Sequence, residues 1–126
     1  MSRKIQKSYT LRYDVRPDFT LNKERTVHHH ARAKVVKEWR QAFADAAQAE
    51  MIPRLEQITV EAQPYVLNAR YRQDVGACFP VVKAAIDGLV DAGVLVDDHA
   101  GIVVKLTMLA PIFGSDALEI TIASVG

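Results

Sequence analysis

Very little in this chain offers a cysteine, glycine-loop or membrane explanation. It has one cysteine, one tryptophan, six glycines and no apolar run longer than a few residues. The lone Cys78 excludes an internal disulfide and, by itself, a structural zinc site. A bilayer span needs roughly 18–20 consecutive apolar residues, and nothing here approaches that. The basic start, MSRKIQKSYT, has no apolar stretch behind it, so a secretory leader is not expected and a reducing, cytoplasmic setting is. A glycine-rich phosphate loop, a dinucleotide fingerprint, a Ser-His-Asp spacing, internal repeats and low-complexity tracts are all missing.

What remains is 126 residues, 49% hydrophobic and 25% charged, the proportions of one globular domain with a single core. The net charge of +1 hides a division. Residues 1–72 carry fourteen Lys/Arg against eight Asp/Glu, or +6; residues 73–126 carry two against seven, or −5. A basic surface beside an acidic site suits a polyanion, although two solvated faces would give the same count.

The periodicity changes along the chain. Ser8 to Val15 alternates polar and apolar residues as a half-buried strand does, and residues 16–30 lose all period and read as a long loop. Val35, Trp39, Ala42, Phe43 and Ala46 then fall on one helical stripe from about Ala31 to Met51, with Pro53 as the stop. Leu55 to Val66 reads as a second strand. Pro80 suits the first turn of a second helix and Gly93 the residue past its end, with Val82, Ile86, Leu89 and Val90 as its buried stripe. Ile102–Ala110 and Ala117–Ala123 read as a closing antiparallel pair joined around residues 111–114. The expected fold is a small single α+β domain over 1–126, β-α-β-α-β-β in order, with a mixed or antiparallel sheet and two helices on one side.

The chemistry concentrates between Asp74 and Asp98, DVGACFPVVKAAIDGLVDAGVLVDD. Asp74, Asp97 and Asp98 sit where loops meet solvent, and carboxylates from two elements are enough to hold a hard divalent cation that keeps positions for phosphate. Asp97-Asp98 also suits an ordinary turn. Lys83 is placed to stabilise charge on a phosphate, while an i,i+4 pair with Asp87 is the plainer reading. Lys23, Arg25, Arg32, Lys34, Lys37, Arg70 and Arg72 are candidates for tracking a phosphate backbone. Three consecutive histidines, His28-His29-His30, do not have metal-ligand spacing. Cys78 beside Phe79 reads as a small buried hydrophobe.

The block Lys83-Ala-Ala-Ile-Asp87-Gly-Leu89-Val-Asp-Ala-Gly93-Val-Leu-Val-Asp97-Asp98 resembles the RusA-type Holliday-junction resolvases, small homodimeric endonucleases often carried by phages and prophages. The lysine, the Asp87-Gly88-Leu89 step, the Ala92-Gly93 helix end and the closing acid pair fall in the family's order over residues 70–104. The resemblance implies a Mg²⁺-dependent (Mn²⁺ possible) crossover-junction endodeoxyribonuclease of recombination and repair, acting as a homodimer on four-way DNA junctions. It implies catalytic roles for Asp74, Lys83 and Asp98, metal ligation by Asp74, Asp97 and Asp98, and DNA contacts from Lys23, Arg25, Arg32, Lys34, Arg70 and Arg72. The sequence departs from the family at one place. Gly76 stands where a second acid is expected, and the spacer before Lys83 is about three residues longer, so Asp97, Asp87 or His99 would have to complete the ligand set. A branched-DNA-binding protein that has lost turnover is the alternative, and a protein–protein module leaves the charge division unexplained.

Overall fold

The computed structural model describes residues 7–125 and builds one layer of helix on one mixed sheet. Strand β1, Ser8–Tyr13, turns Leu11 into the core and leaves Thr10 and Arg12 exposed, the period-2 split expected of its alternation. Two helices follow: α1, Leu21–Thr26, and α2, His29–Ala49. Strand β2, Ile58–Val66, buries Ile58, Val60, Ala62, Pro64 and Val66 on one face. A single 3-10 turn, Ala69–Tyr71, leads to α3, Phe79–Asp91. The chain closes with β3 (Val103–Met108), β4 (Ile112–Phe113) and β5 (Ala117–Ser124).

The sheet order is β1-β5-β2-β3, with β4 continuing beside β2. β2 pairs antiparallel with β5 and parallel with both β3 and β4. The last two long strands are therefore not partners, contrary to the sequence expectation. β2 lies between them, and the 109–116 segment rounds its end at Gly114, whose φ of +124° favours glycine and whose N–H reaches the Val66 and Leu67 carbonyls. Pro64 sits in this central strand without loss. The Ala62 carbonyl accepts from Leu109 N–H, so by alternation the Pro64 nitrogen faces the same side, where residues 109–111 leave a gap between β3 and β4. The Gln63 amide fills that gap, donating to Pro64 and Ala110 carbonyls at 2.9 Å each.

The core joins Trp39, Phe43 and Ala47 of α2 and Val82, Ala85 and Leu89 of α3 to Leu11, Ile58, Val60, Ile120 and Ile122 of the sheet. Pro80 stands in the first turn of α3 as expected. Gly93, at φ +81°, ends the helix, its own N–H on the Val90 carbonyl and that of Val94 on Leu89. α2 ends before Pro53: Met51 takes φ +51°, and the Ile52 N–H returns to the Ala47 carbonyl.

The expected 16–30 loop contains α1. Six residues are too few to show a helical period; the Thr20 hydroxyl caps the Lys23 N–H, buried Phe19 anchors the entry, and Leu21 N–H bonds the Ala77 carbonyl. The Val94–Val96 run is irregular backbone: Val94 and Leu95 are core, while Val96 faces solvent. Among the described residues no helix is long and apolar enough to cross a membrane.

Candidate functional site

Two features converge on the ends of α3, one acidic and one basic. Along α3, Lys83, Asp87 and Asp91 follow at steps of four, one exposed stripe of the helix. The Lys83 ammonium donates to Asp87 Oδ1 at 2.9 Å and is also directly paired with Asp98 in the loop after the helix. Asp97 Oδ1 accepts from the Asp98 N–H at 2.8 Å, which fixes the loop so that Asp98 faces the helix. The i,i+4 pair anticipated as the plain reading is thus present, and with Asp98 it forms one cluster; Asp97 and Asp98 themselves lie in irregular backbone ahead of the turn at 100–102. Arg40 of α2 closes it at the far end with two hydrogen bonds to the Asp91 carboxylate.

The cluster perturbs its own ionisation. Hydrogen bonding from Lys83, against partial burial, holds the Asp98 carboxyl below the usual carboxylate range, with Asp87 and Asp97 adding to the effect. Burial pulls the Lys83 ammonium down, but its hydrogen bonds to Asp98 and Asp87 outweigh that and raise it. The side chains of Asp87 and Asp98 are only 26% and 24% exposed, so this is a partly desolvated pair of acids sharing one cation.

The closeness of α2 to this stripe depends on Gly88. A β-carbon there would collide with the Arg40 carbonyl oxygen and press the Ala44 nitrogen at 3.0 Å. Ala44, Ala47, Ala84 and Ala85 are buried, small enough to let the two backbones approach.

The basic feature is an open cleft of about 450 Å³ lined by Arg16, Asp18, Thr20, Lys23, Arg70, Tyr71, Arg72 and Gln73. It runs into a second cleft through Thr20, Arg72 and Gln73, which adds Asn22, Asp74 and Ala77, and then into a third that adds Arg25 and Gly76. Lys23, Arg25, Arg70 and Arg72 therefore lie along one trough, with Asp74 within it. Arg32 and Lys34 are exposed on the first turns of α2, and Lys37 lines a separate cleft with Arg40 and Asp91. No hydrogen bond or ion pair among the described residues joins Asp74 to Lys83, Asp97 or Asp98.

Arg16 carried no signal in the sequence, yet it organises the cleft. Its Nε and Nη2 donate to the two carboxylate oxygens of Asp116 at 3.0 and 3.2 Å, and its guanidinium packs 3.4 Å from the centre of the Tyr71 ring. Asp116 Oδ1 also accepts from Leu67 N–H, tying the start of the connector to β5. Gln73 Nε2 bonds the Pro17 carbonyl at 2.8 Å, while its buried Oε1 has no partner among the described residues.

Hard oxygen donors suit a magnesium-class ion, which is commonly bound by one or two carboxylates plus substrate phosphate and keeps its waters. Asp87 and Asp98 already converge on a single cation, Lys83, and Asp97 is adjacent, so the donor chemistry fits at this cluster. Among the described residues no three His, Cys, Asp or Glu side chains form a ready-made cage. Asp87, read from sequence chiefly as a surface salt-bridge partner, is paired within this cluster, whereas Asp74 has no described contact with it. Gly76 has φ +81° in the turn closed by Ala77 N–H on Asp74 and Phe79 N–H on Gly76, a conformation that disfavours a side chain at that position.

The three histidine rings lie 4.0–5.1 Å apart, all exposed, with His28 Nδ1 accepting from His30 N–H as a helix cap. Cys78 is buried, and desolvation pushes its thiol up to about 11, which leaves it protonated and unreactive at neutral pH. No protein-family model matches the chain, and no curated protein matches it.

Proposed function

We propose that this chain is a metal-dependent, structure-selective endodeoxyribonuclease of the RusA type that resolves four-way DNA junctions in recombination and repair. The observation that carries the reading is the cluster of Lys83 and Asp87 on α3 with Asp98 in the loop after it, the N-terminal loop of the same helix bordering a trough lined by Arg16, Lys23, Arg70, Arg72 and Arg25. Asp98 and Asp87, with Asp97 beside them, are the residues that would hold Mg²⁺ or Mn²⁺. When bound, the ion would polarise a phosphoryl oxygen and lower the pKa of a coordinated water.

This chain's own residues supply the rest. The trough's cations bind the phosphate backbone and hold it against α3. Lys83 has a flexible four-carbon stem, so its ammonium can leave Asp98 for a phosphate oxygen as negative charge develops there. Asp74, without a described side-chain partner, lies in the trough where it orients water or a second cation. Two copies of the chain would each nick one of two opposed strands.

A second reading keeps the fold and the trough but not the turnover. It is favoured by the Lys83 ammonium, which already pairs with both acids, and by the lack of a described contact between Asp74 and them. Incubation with a synthetic four-way junction and a linear duplex, in Mg²⁺, Mn²⁺ or chelator, separates the two. Symmetric, metal-dependent nicks in the junction alone support the nuclease. Tight junction binding with no product in either metal supports the binding protein, and no affinity for DNA removes both.

A further inference from the structure

We propose that the Arg16–Tyr71 cleft is a seat for one unpaired nucleotide, with the Tyr71 ring as its stacking platform. The inference rests on the nucleic-acid reading above and adds which part of a branched substrate this cleft takes: an unstacked nucleotide at the branch, not duplex backbone.

A surface that only tracks phosphates needs cations. This one also holds an aromatic ring and a neutral amide in a concavity of about 450 Å³, the size range of a small-ligand site. Tyr71 is half-buried, and the Arg16 guanidinium lies against it at 3.4 Å, with that of Arg70 at 5.6 Å. Arg16 is held in place, because its Nε and Nη2 both donate to Asp116, which is itself bound to the Leu67 backbone. Ring and guanidinium are therefore held against each other in advance, so little ordering remains when a base joins them. Stacking on such a platform tolerates any base, since every base has a π-face.

The remaining walls match the rest of a nucleotide. Arg72 and Lys23 supply positive charge for the phosphate, and Lys23 is held only loosely, 3.7 Å from Asp18. The Gln73 amide forms a further wall of the cleft, its Nε2 held on the Pro17 carbonyl. Thr20, Arg72 and Gln73 are shared with the adjoining cleft that contains Asp74, so a strand leaving the seat runs along the trough towards Asp74.

The test is fluorescence anisotropy at one salt concentration with two labelled DNAs of equal phosphate count, a blunt duplex and a duplex with a short unpaired overhang. The overhang is expected to bind about tenfold more tightly, the effect of stacking one base. Tyr71→Ala removes that preference and leaves blunt-duplex affinity within about twofold, while Tyr71→Phe, which keeps the ring, retains it. With the unaltered protein, 2-aminopurine in the overhang loses emission on binding if it stacks. Equal affinity for both DNAs, unchanged 2-aminopurine emission, or equal weakening of both by Tyr71→Ala overturns the seat. Those results leave junction cleavage untouched, whereas failure to bind either DNA overturns the nucleic-acid reading and the seat together.

Discussion

Lys83 and Asp98, fifteen residues apart, are joined by a direct ion pair across the C-terminal half of α3, and Asp87 shares the same ammonium. The pair links stability to pH in a definite direction. The Asp98 carboxyl is held below its ordinary value of 3.8, chiefly by Lys83, so its stabilising effect is present above that value and is lost as pH falls through the lower, folded-state value. Lys83 is raised above 10.5; its share is complete below that pH and is lost only as pH rises through its folded value. Because the Lys83 side chain is 48% exposed, solvent screening keeps the pair to about 0.5–1 kcal/mol. Urea unfolding should therefore show Asp98→Asn less stable than the wild type by that amount at neutral pH. The gap should close in acid below the folded-state value of Asp98.

Gly88 controls how closely α2 and α3 approach. Alanine is the better helix former by about 1 kcal/mol, yet its β-carbon has no room against the Arg40 backbone. Overpacking of this kind costs about 1–3 kcal/mol, so Gly88→Ala should lower the thermal midpoint in spite of its propensity. A raised midpoint in a thermal melt would show that the helices can part without loss.

Asp116 is expected to matter for DNA although it is an acid. Asp116→Ala frees Arg16 from its bidentate partner and leaves the Leu67 N–H without its side-chain acceptor, so the thermal midpoint should fall. Hydrogen exchange should quicken at Leu67 while β2 stays protected. For the trough itself, single alanine substitutions of Lys23, Arg70 or Arg72 should each reduce the slope of log affinity against log salt by about one. Arg32→Ala and Lys34→Ala, which do not line the trough, should change it by less.

The fold was legible where side-chain period and end signals agreed. The alternation of Ser8–Tyr13, the α2 stripe around Trp39 and Phe43, and the Pro80 and Gly93 ends of α3 all lie where the sequence puts them. Strand partners were not legible, because period 2 identifies a buried face without naming its neighbour. β5 thus pairs with β1 and β2, not with β3. α1 was hidden by its length.

At the site, Lys83, Asp97 and Asp98 were readable from their place around an amphipathic helix; the structure pairs Lys83 with Asp98, and Asp97 bonds the Asp98 N–H. Arg16 and Asp116 were not, since their pairing spans a hundred residues and depends on β1 and β5 being neighbours. Asp74 was readable as an acid in a polar connector, but its place in the basic trough, apart from the described contacts of the other acids, is set by the turn at Gly76.

The central claim is that the carboxylates around Lys83 serve hydrolysis of branched DNA. The most direct measurement is the single-turnover nicking rate of a four-way junction in Mg²⁺ for the wild type and for Asp98→Asn, the variant first checked for folding by its melt. The account predicts symmetric nicks by the wild type and a loss of about 100-fold or more in the variant, with junction affinity largely retained. Equal rates for the two proteins would contradict it.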